Sequence, residues 1–205
     1  MLKAMVFLDY ENFEISKTNY FWSLTPEGEK PLFNKIDYNL LPQKVVDRLR
    51  SPHVLTKTFM FAPKPDEFLM QDPKRQSTYN WLSGMKNQYH FTLLEGTHSA
   101  RPVPGYTYQT MSIDNPASYY VVEKGTDVNL TAHLITKGFM DAYDTAIVMS
   151  GDADYIPVLD ILNTLGKTVV VVGVKNQNMT RLRQHADELI LLDKDFFDTC
   201  MRHQI

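Results

Sequence analysis

The sequence predicts an α/β fold in which a mostly parallel sheet is covered by helices on both faces. Three observations carry that expectation. Short runs rich in β-branched residues recur along the chain, segments with apolar residues at helical spacing separate them, and several of the runs end in acidic or amide residues.

Leu2 to Leu8 is an apolar run that reads as the first strand, and it delivers Asp9, Glu11 and Asn12 at its carboxyl end. Asp and Asn are disfavoured inside strands, so the sheet edge falls there. Phe13 to Asn34 is aromatic-rich without a sustained period and is punctuated by Pro26, Gly28 and Pro31, which suggests an insertion or a long irregular loop. Leu40 to Leu49 has helical spacing, and His53 to Ala62 reads as a second strand ended by Pro63-Lys64-Pro65. Asp72 to Gln88 is expected to be mostly helical, with Trp81, Leu82 and Met85 facing the core, and Phe91 to Leu94 is a short strand. Glu95 to Pro116 reads as a second insertion, a loop in which Tyr106 to Ser112 alternates enough for a hairpin arm.

Tyr119 to Glu123 is the next strand, followed by Lys124-Gly125 and a helix over Thr126 to Met140. Thr145 to Met149 is a buried strand broken by Ser150-Gly151, after which Asp152 and Asp154 precede apolar residues at helical spacing, Ile156, Leu159, Leu162 and Leu165. Proline is tolerated only in a helix's first turn, so Pro157 places the start of this helix between Ala153 and Ile156. A strand over Thr168–Gly173, a helix over Asn178–Ala186, a strand over Leu189–Leu192 and a helix from Lys194 complete the alternation.

With 205 residues, 43% of them hydrophobic, the chain suffices for one domain, 1–205, with insertions at 13–34 and 95–116. The formal charge of −3 does not advertise a nucleic-acid binder, but acidic residues gathered at a site can offset basic residues elsewhere. Cys200 is the single cysteine, which leaves no disulfide framework or cysteine zinc site and suits a reducing compartment. The apolar stretch near the start is too short for a signal peptide, and no segment is long enough to cross a membrane. A cytoplasmic protein with no membrane partner is expected.

Acids fall at three predicted strand ends: Asp9, Asp127, and Asp152 with Asp154. Either of the last two also suits a helix cap. Ligand crevices of open α/β sheets lie at strand carboxyl ends, so these side chains share a site if their strands are neighbours. Carboxylates so gathered repel one another unless a cation sits among them, and an all-oxygen set, with Asn12 assisting through its amide oxygen, suits Mg²⁺ or Mn²⁺ better than zinc. Such a site orients and activates water for attack on phosphorus.

Asp9-Tyr-Glu-Asn12, Lys124-Gly-Thr-Asp127-Val128 and Ser150-Gly-Asp152-Ala-Asp154-Tyr155 resemble, in order, the signature blocks of the NYN domain, a PIN-like nuclease family, and of its LabA-like branch. The strand Gly166–Gly173 and the closing Leu182–Leu192 are similar to the family's ending. The resemblance implies a three-layer α/β/α fold and a metal-dependent ribonuclease. It carries the metal-binding and catalytic roles onto Asp9, Asp127, Asp152 and Asp154, with Asn12 orienting Asp9 or touching the metal or scissile phosphate. One departure is His133, which stands where members of the branch often have a further acid. On a helix a histidine is more often structural, but facing a metal it would be a nitrogen ligand or a proton carrier.

Lys124, three residues before Asp127, and Arg101 are the candidate substrate contacts, with Lys64, Lys74, Arg75, Lys175, Arg181 and Arg183 as further basic residues near loops or helix ends. Tyr106, Tyr108 and Tyr20-Phe21-Trp22 offer stacking faces for single-stranded bases, or cover a core or pair subunits. The expected partner is single-stranded or structured RNA, and a homodimer through the aromatic insertions is an expectation from composition alone. Two alternatives stand beside the ribonuclease: a non-catalytic RNA- or protein-binding module, and a DNA nuclease or phosphatase using the same acids.

Overall fold

The computed structural model describes residues 1–31 and 36–201. Its seven strands are β1 (Leu2–Asp9), β2 (His53–Pro65), β3 (Phe91–Pro102), β4 (Tyr119–Lys124), β5 (Thr145–Met149), β6 (Thr168–Val174) and β7 (Glu188–Leu192). They form one sheet in the order β4-β3-β2-β1-β5-β6-β7, parallel throughout except for β4, which runs antiparallel to β3. The helices are α1 (Tyr10–Ser23), α2 (Leu41–Val46), α3 (Pro73–Gly84), α4 (Thr126–Phe139), α5 (Ile156–Thr164), α6 (Thr180–Arg183) and α7 (Lys194–Thr199).

The central strands are buried on both faces, and residue parity assigns each side chain to a layer. Val6, Leu8, Ile147, Met149, Val170 and Val172 join Phe13, Leu41, Leu82 and Phe196 in a core beneath α1, α2, α3 and α7. Phe7, Ala146, Val148, Val169 and Val171 join Leu130, Leu134, Leu159 and Leu182 in a second core beneath α4, α5 and α6. This is the expected three-layer α/β/α arrangement, a PIN-like fold.

Four sequence expectations are corrected. α1 spans Tyr10–Ser23 and so takes up the first half, 13–23, of the segment 13–34 expected as an insertion or irregular loop. Asp9 caps that helix by accepting from the Asn12 backbone N–H, and Phe13, Tyr20 and Phe21 anchor it. The hydrophobic pattern is weak because polar residues also lie on the packed face: Lys17 is buried and donates to Glu14, which also accepts from the Tyr38 hydroxyl. Residues 32–34 of the same expectation lie outside the described residues. Tyr20 and Phe21 are core residues rather than stacking faces, and the Tyr20 hydroxyl accepts from the Lys194 backbone N–H at 3.1 Å.

Pro63 and Pro65 do not end β2. The backbone N–H groups of Thr58 and Asp66 donate toward β3, so those of odd-numbered residues between them would face β1. Because β1 stops at Asp9, opposite Phe61, the two prolines lack donors only on a side with no partner strand. Third, β3 does not stop at Leu94 but continues to Pro102, where it pairs with β4; residues 106–112 are turns rather than a strand arm. The helix expected over 178–186 shrinks to α6.

Candidate active site

The chain leaves β1 toward β2 and β3 on one side of the sheet, then returns to place β5, β6 and β7 on the other. The β1–β5 junction is therefore the topological switch point, where strand carboxyl ends open a crevice. Asp9 and Ser150 lie one residue past the paired Leu8 and Met149. Residue parity points Asp9 toward the α4/α5 layer.

Asp9 is the buried centre, 6% exposed. One carboxylate oxygen caps α1, while the other accepts from the Ser150 hydroxyl at 3.0 Å and lies 3.4 Å from the Tyr155 hydroxyl. Burial pushes its pKa up to about 6; the Asn12 N–H and Ser150 hydroxyl hold it down in part, and the charges of Asp127 and Asp152 raise it further.

Asp127 reaches this centre by a route other than the one the sequence suggested. Its strand, β4, is at the far edge and runs opposite to the others, so its carboxyl end is no neighbour of β1. Gly125, at φ +89°, turns the chain sharply out of β4, and α4 then crosses the sheet face toward α5. The first turn of α4 thus presents the Asp127 carboxylate to the Tyr155 hydroxyl, which donates to it at 2.7 Å. Tyr155 is buried, and burial together with Asp9, Asp127 and Asp152 drives its pKa far above the ordinary phenol range. It remains a proton donor joining two carboxylates.

Asp152 stands on the rim, half-buried. Its backbone N–H donates to the Ser150 hydroxyl at 3.2 Å and its side chain accepts from the Asp154 N–H at 2.9 Å, opening the helical turn that leads into α5. Asp154 is exposed and is not among the charges that perturb Asp9 or Tyr155. Asn12 lies inside: its amide oxygen accepts from the Gly151 N–H at 2.9 Å and from the Gln177 side-chain amide at 3.4 Å. Gln177 is held in turn by the Val174 N–H at 3.1 Å. A Cβ on Gly151 would stand 1.7 Å from the Gln177 amide nitrogen, so the glycine lets the two chains approach.

The remaining candidates are spread out. Lys124 is exposed at the end of β4, paired with Thr97. Arg101 projects on the β3–β4 arm, seven residues beyond the level of Asp9 or about 23 Å at strand rise, with its guanidinium donating to the Tyr108 hydroxyl at 2.6 Å. His133 donates its Nδ1–H to the Asn129 backbone carbonyl at 2.8 Å and packs its ring against Phe59 and Phe61, which ties it to its own helix and the core.

Sequence reasoning assigned no role to Ser150, Tyr155 or Gln177. The first two stand inside the Ser150–Tyr155 block and were legible as its neighbours; Gln177 carries no local signal.

Among the described residues, no three His, Cys, Asp or Glu side chains form a ready metal cage. The donor set still suits a hard dication. Asp9, Asp127 and Asp152 supply only oxygen, the charges of the latter two reach Asp9, and Mg²⁺ needs one or two carboxylates with water and phosphate oxygens completing its shell.

An open α/β domain with carboxylates gathered at its switch point is the architecture of a hydrolytic or ligand-binding crevice. The family is given by comparison: the NYN domain model matches residues 3–193, and the chain belongs to that family, which is a PIN-like nuclease family. No curated protein sequence matches the chain significantly. Among solved structures, a Vibrio parahaemolyticus protein of unknown function is similar with a TM-score of 0.55 and 19% identity, covering 95% of each chain. At that identity the likeness concerns the fold.

Proposed function

We propose that this protein is a metal-dependent ribonuclease that hydrolyses RNA phosphodiester bonds at the crevice between β1 and β5. The observation that carries the reading is the convergence of Asp9, Asp127 and Asp152 on Tyr155 at the switch point of an NYN domain.

Asp9, Asp127 and Asp152 would hold Mg²⁺ or Mn²⁺, with Asp154 at the outer rim contributing through water. Bound there, the ion would neutralise phosphate charge and lower the pKa of an attacking water. The protein's own groups do the positioning. Ser150 and the Asn12 backbone fix the Asp9 carboxylate, and Tyr155 keeps its proton between Asp9 and Asp127. The Asn12 amide oxygen is held by Gly151 and Gln177, which would leave its N–H₂ to touch a phosphate oxygen. Lys124 would meet the strand beside Asp127, and Arg101 would meet it further out along the arm.

The test is cleavage of a labelled single-stranded RNA with and without Mg²⁺ or Mn²⁺. Asp152→Asn should abolish the products while leaving the thermal melt unchanged or raised. Matched DNA oligomers in the same assay separate RNA from DNA hydrolysis. Tight RNA binding by the wild type without cleavage would instead identify a binding module.

A further inference from the structure

Beside the acidic centre, on the opposite face of the sheet crest, a cleft of about 290 Å³ opens between the start of α1, the ends of β2 and β3, and α3. We propose that it seats one unpaired nucleoside unit of the RNA strand, next to the phosphate held at Asp9. The proposal deepens the ribonuclease reading and rests on it for the identity of the strand.

Three features of the cleft fit that ligand. Tyr10, Tyr79, Pro63 and Pro65 give it ring faces, while Glu11, Asp72, Thr78 and His98 make the rest of its lining as polar as those faces are apolar. Base-sized ligands gain most from such faces, because every base has a π-surface whatever its sequence. Its lining also carries two polar side chains side by side, the His98 imidazole with Nε2 3.2 Å from a Glu11 carboxylate oxygen, able to address the polar edge of a base or a ribose hydroxyl. At its rim are Lys74 and Arg75. Arg75 is paired with Asp72 at 3.6 Å, whereas the Lys74 ammonium makes no ion pair among the described residues and is exposed.

Position completes the case. Tyr10 and Glu11 directly follow Asp9 in the chain, so the cleft and the carboxylate centre share the first turn of α1. A strand with one base in the cleft and its charge answered by Lys74 leads its adjoining phosphate over the sheet crest toward Asp9. The volume lies near the lower end of small-molecule pockets, suited to a single nucleoside.

The experiment uses the full chain and a short fluorescein-labelled unstructured RNA. Affinity is read by fluorescence anisotropy in Mg²⁺ on the Asp152→Asn background, where the probe stays intact, and cleavage is read on the wild-type background. Thr78→Trp blocks the cleft from an exposed position of α3. Lys74→Glu reverses the rim charge within the helix's first turn, where an acid is well tolerated. Both variants should weaken RNA binding, Thr78→Trp by roughly tenfold, the worth of one stacked base, with kcat nearly unchanged and KM raised. Unchanged affinity in both, with Asp152→Asn still abolishing cleavage, overturns the cleft and leaves the nuclease standing. RNA bound through the cleft but never cut by wild type supports the cleft and overturns the nuclease. Neither binding nor cleavage overturns both.

Discussion

Asp9 bears opposed demands. Its position at the carboxyl end of a central strand buries it, and burial disfavours its charge; two further carboxylates disfavour it more. Its pKa in the folded chain, about 6, is above the ordinary 3.8. Below pH 3.8 the carboxyl is neutral in both folded and unfolded chains and costs nothing. As pH rises through 6 the unfolded chain has already released the proton, so folding stability falls and then levels off. Asp9→Asn, neutral at every pH and still able to cap α1, should therefore be more stable than wild type at pH 8 by up to about 3 kcal/mol. The difference should vanish near pH 3.5. Urea unfolding of both chains across this range measures it, and equal stability at pH 8 would show that the buried carboxylate carries no strain. Tyr155 also belongs at this scale. Tyr155→Phe removes the shared donor while keeping the ring packing, and is expected to destabilise by about 1 kcal/mol and lower RNA cleavage several-fold, as read by melting and by initial rates. These two residues differ in how visible they were. Asp9 was legible because an acid ending an apolar strand is conspicuous, whereas Tyr155, though part of the Ser150–Tyr155 block, shows its role only once its hydroxyl is seen between Asp9 and Asp127.

At the level of elements, the site depends on turns that hold side chains from three separate segments. Gly151 allows the Ser150–Asp152 turn to lie against Gln177, and both grip the Asn12 amide from the first turn of α1. Outer partners of this kind orient an inner ligand, and losing one typically costs 10–100-fold in metal affinity or activity. Gln177→Ala should lower cleavage by roughly tenfold with little change in melting temperature, since the core is untouched. A loss of stability with unaltered kinetics would make Gln177 a loop fastener only. The helices themselves were unevenly readable. α4 and α5 show clear apolar faces, and Pro157 marked the start of α5 because proline is accepted only in a first turn. α1 was missed because Lys17 and Glu14 sit where a simple amphipathic pattern calls for apolar residues, and their burial becomes acceptable only through their pairing with each other and with Tyr38.

For the whole molecule, a cation held at the crevice as proposed would bind the folded chain and not the unfolded one. Mg²⁺ or Mn²⁺ at a hundredfold excess over Kd should stabilise the protein by about 2.7 kcal/mol. The stabilisation should be larger at pH 8 than at pH 5, because Asp9 is charged only above its raised pKa, and chelator should remove it. Thermal melts with and without cation give this without any RNA present. If pH and cation act independently, the ion binds somewhere other than Asp9.

The sequence by itself determined the alternation of strands and helices, the covering of the sheet on both faces, and the placement of Asp9 and Asp152 at strand ends. Those properties follow from local periodicity, turn chemistry and the aversion of carboxylates to strand interiors. Only the tertiary structure decided that β1 lies beside β5, that β4 runs backwards at the far edge, and that α4 carries Asp127 across the sheet to Tyr155 while Asp154 stays outside. Strand order and direction come from pairing between distant segments, and the direction a side chain faces comes from what packs around it. Neither is encoded in the spacing of residues along the chain.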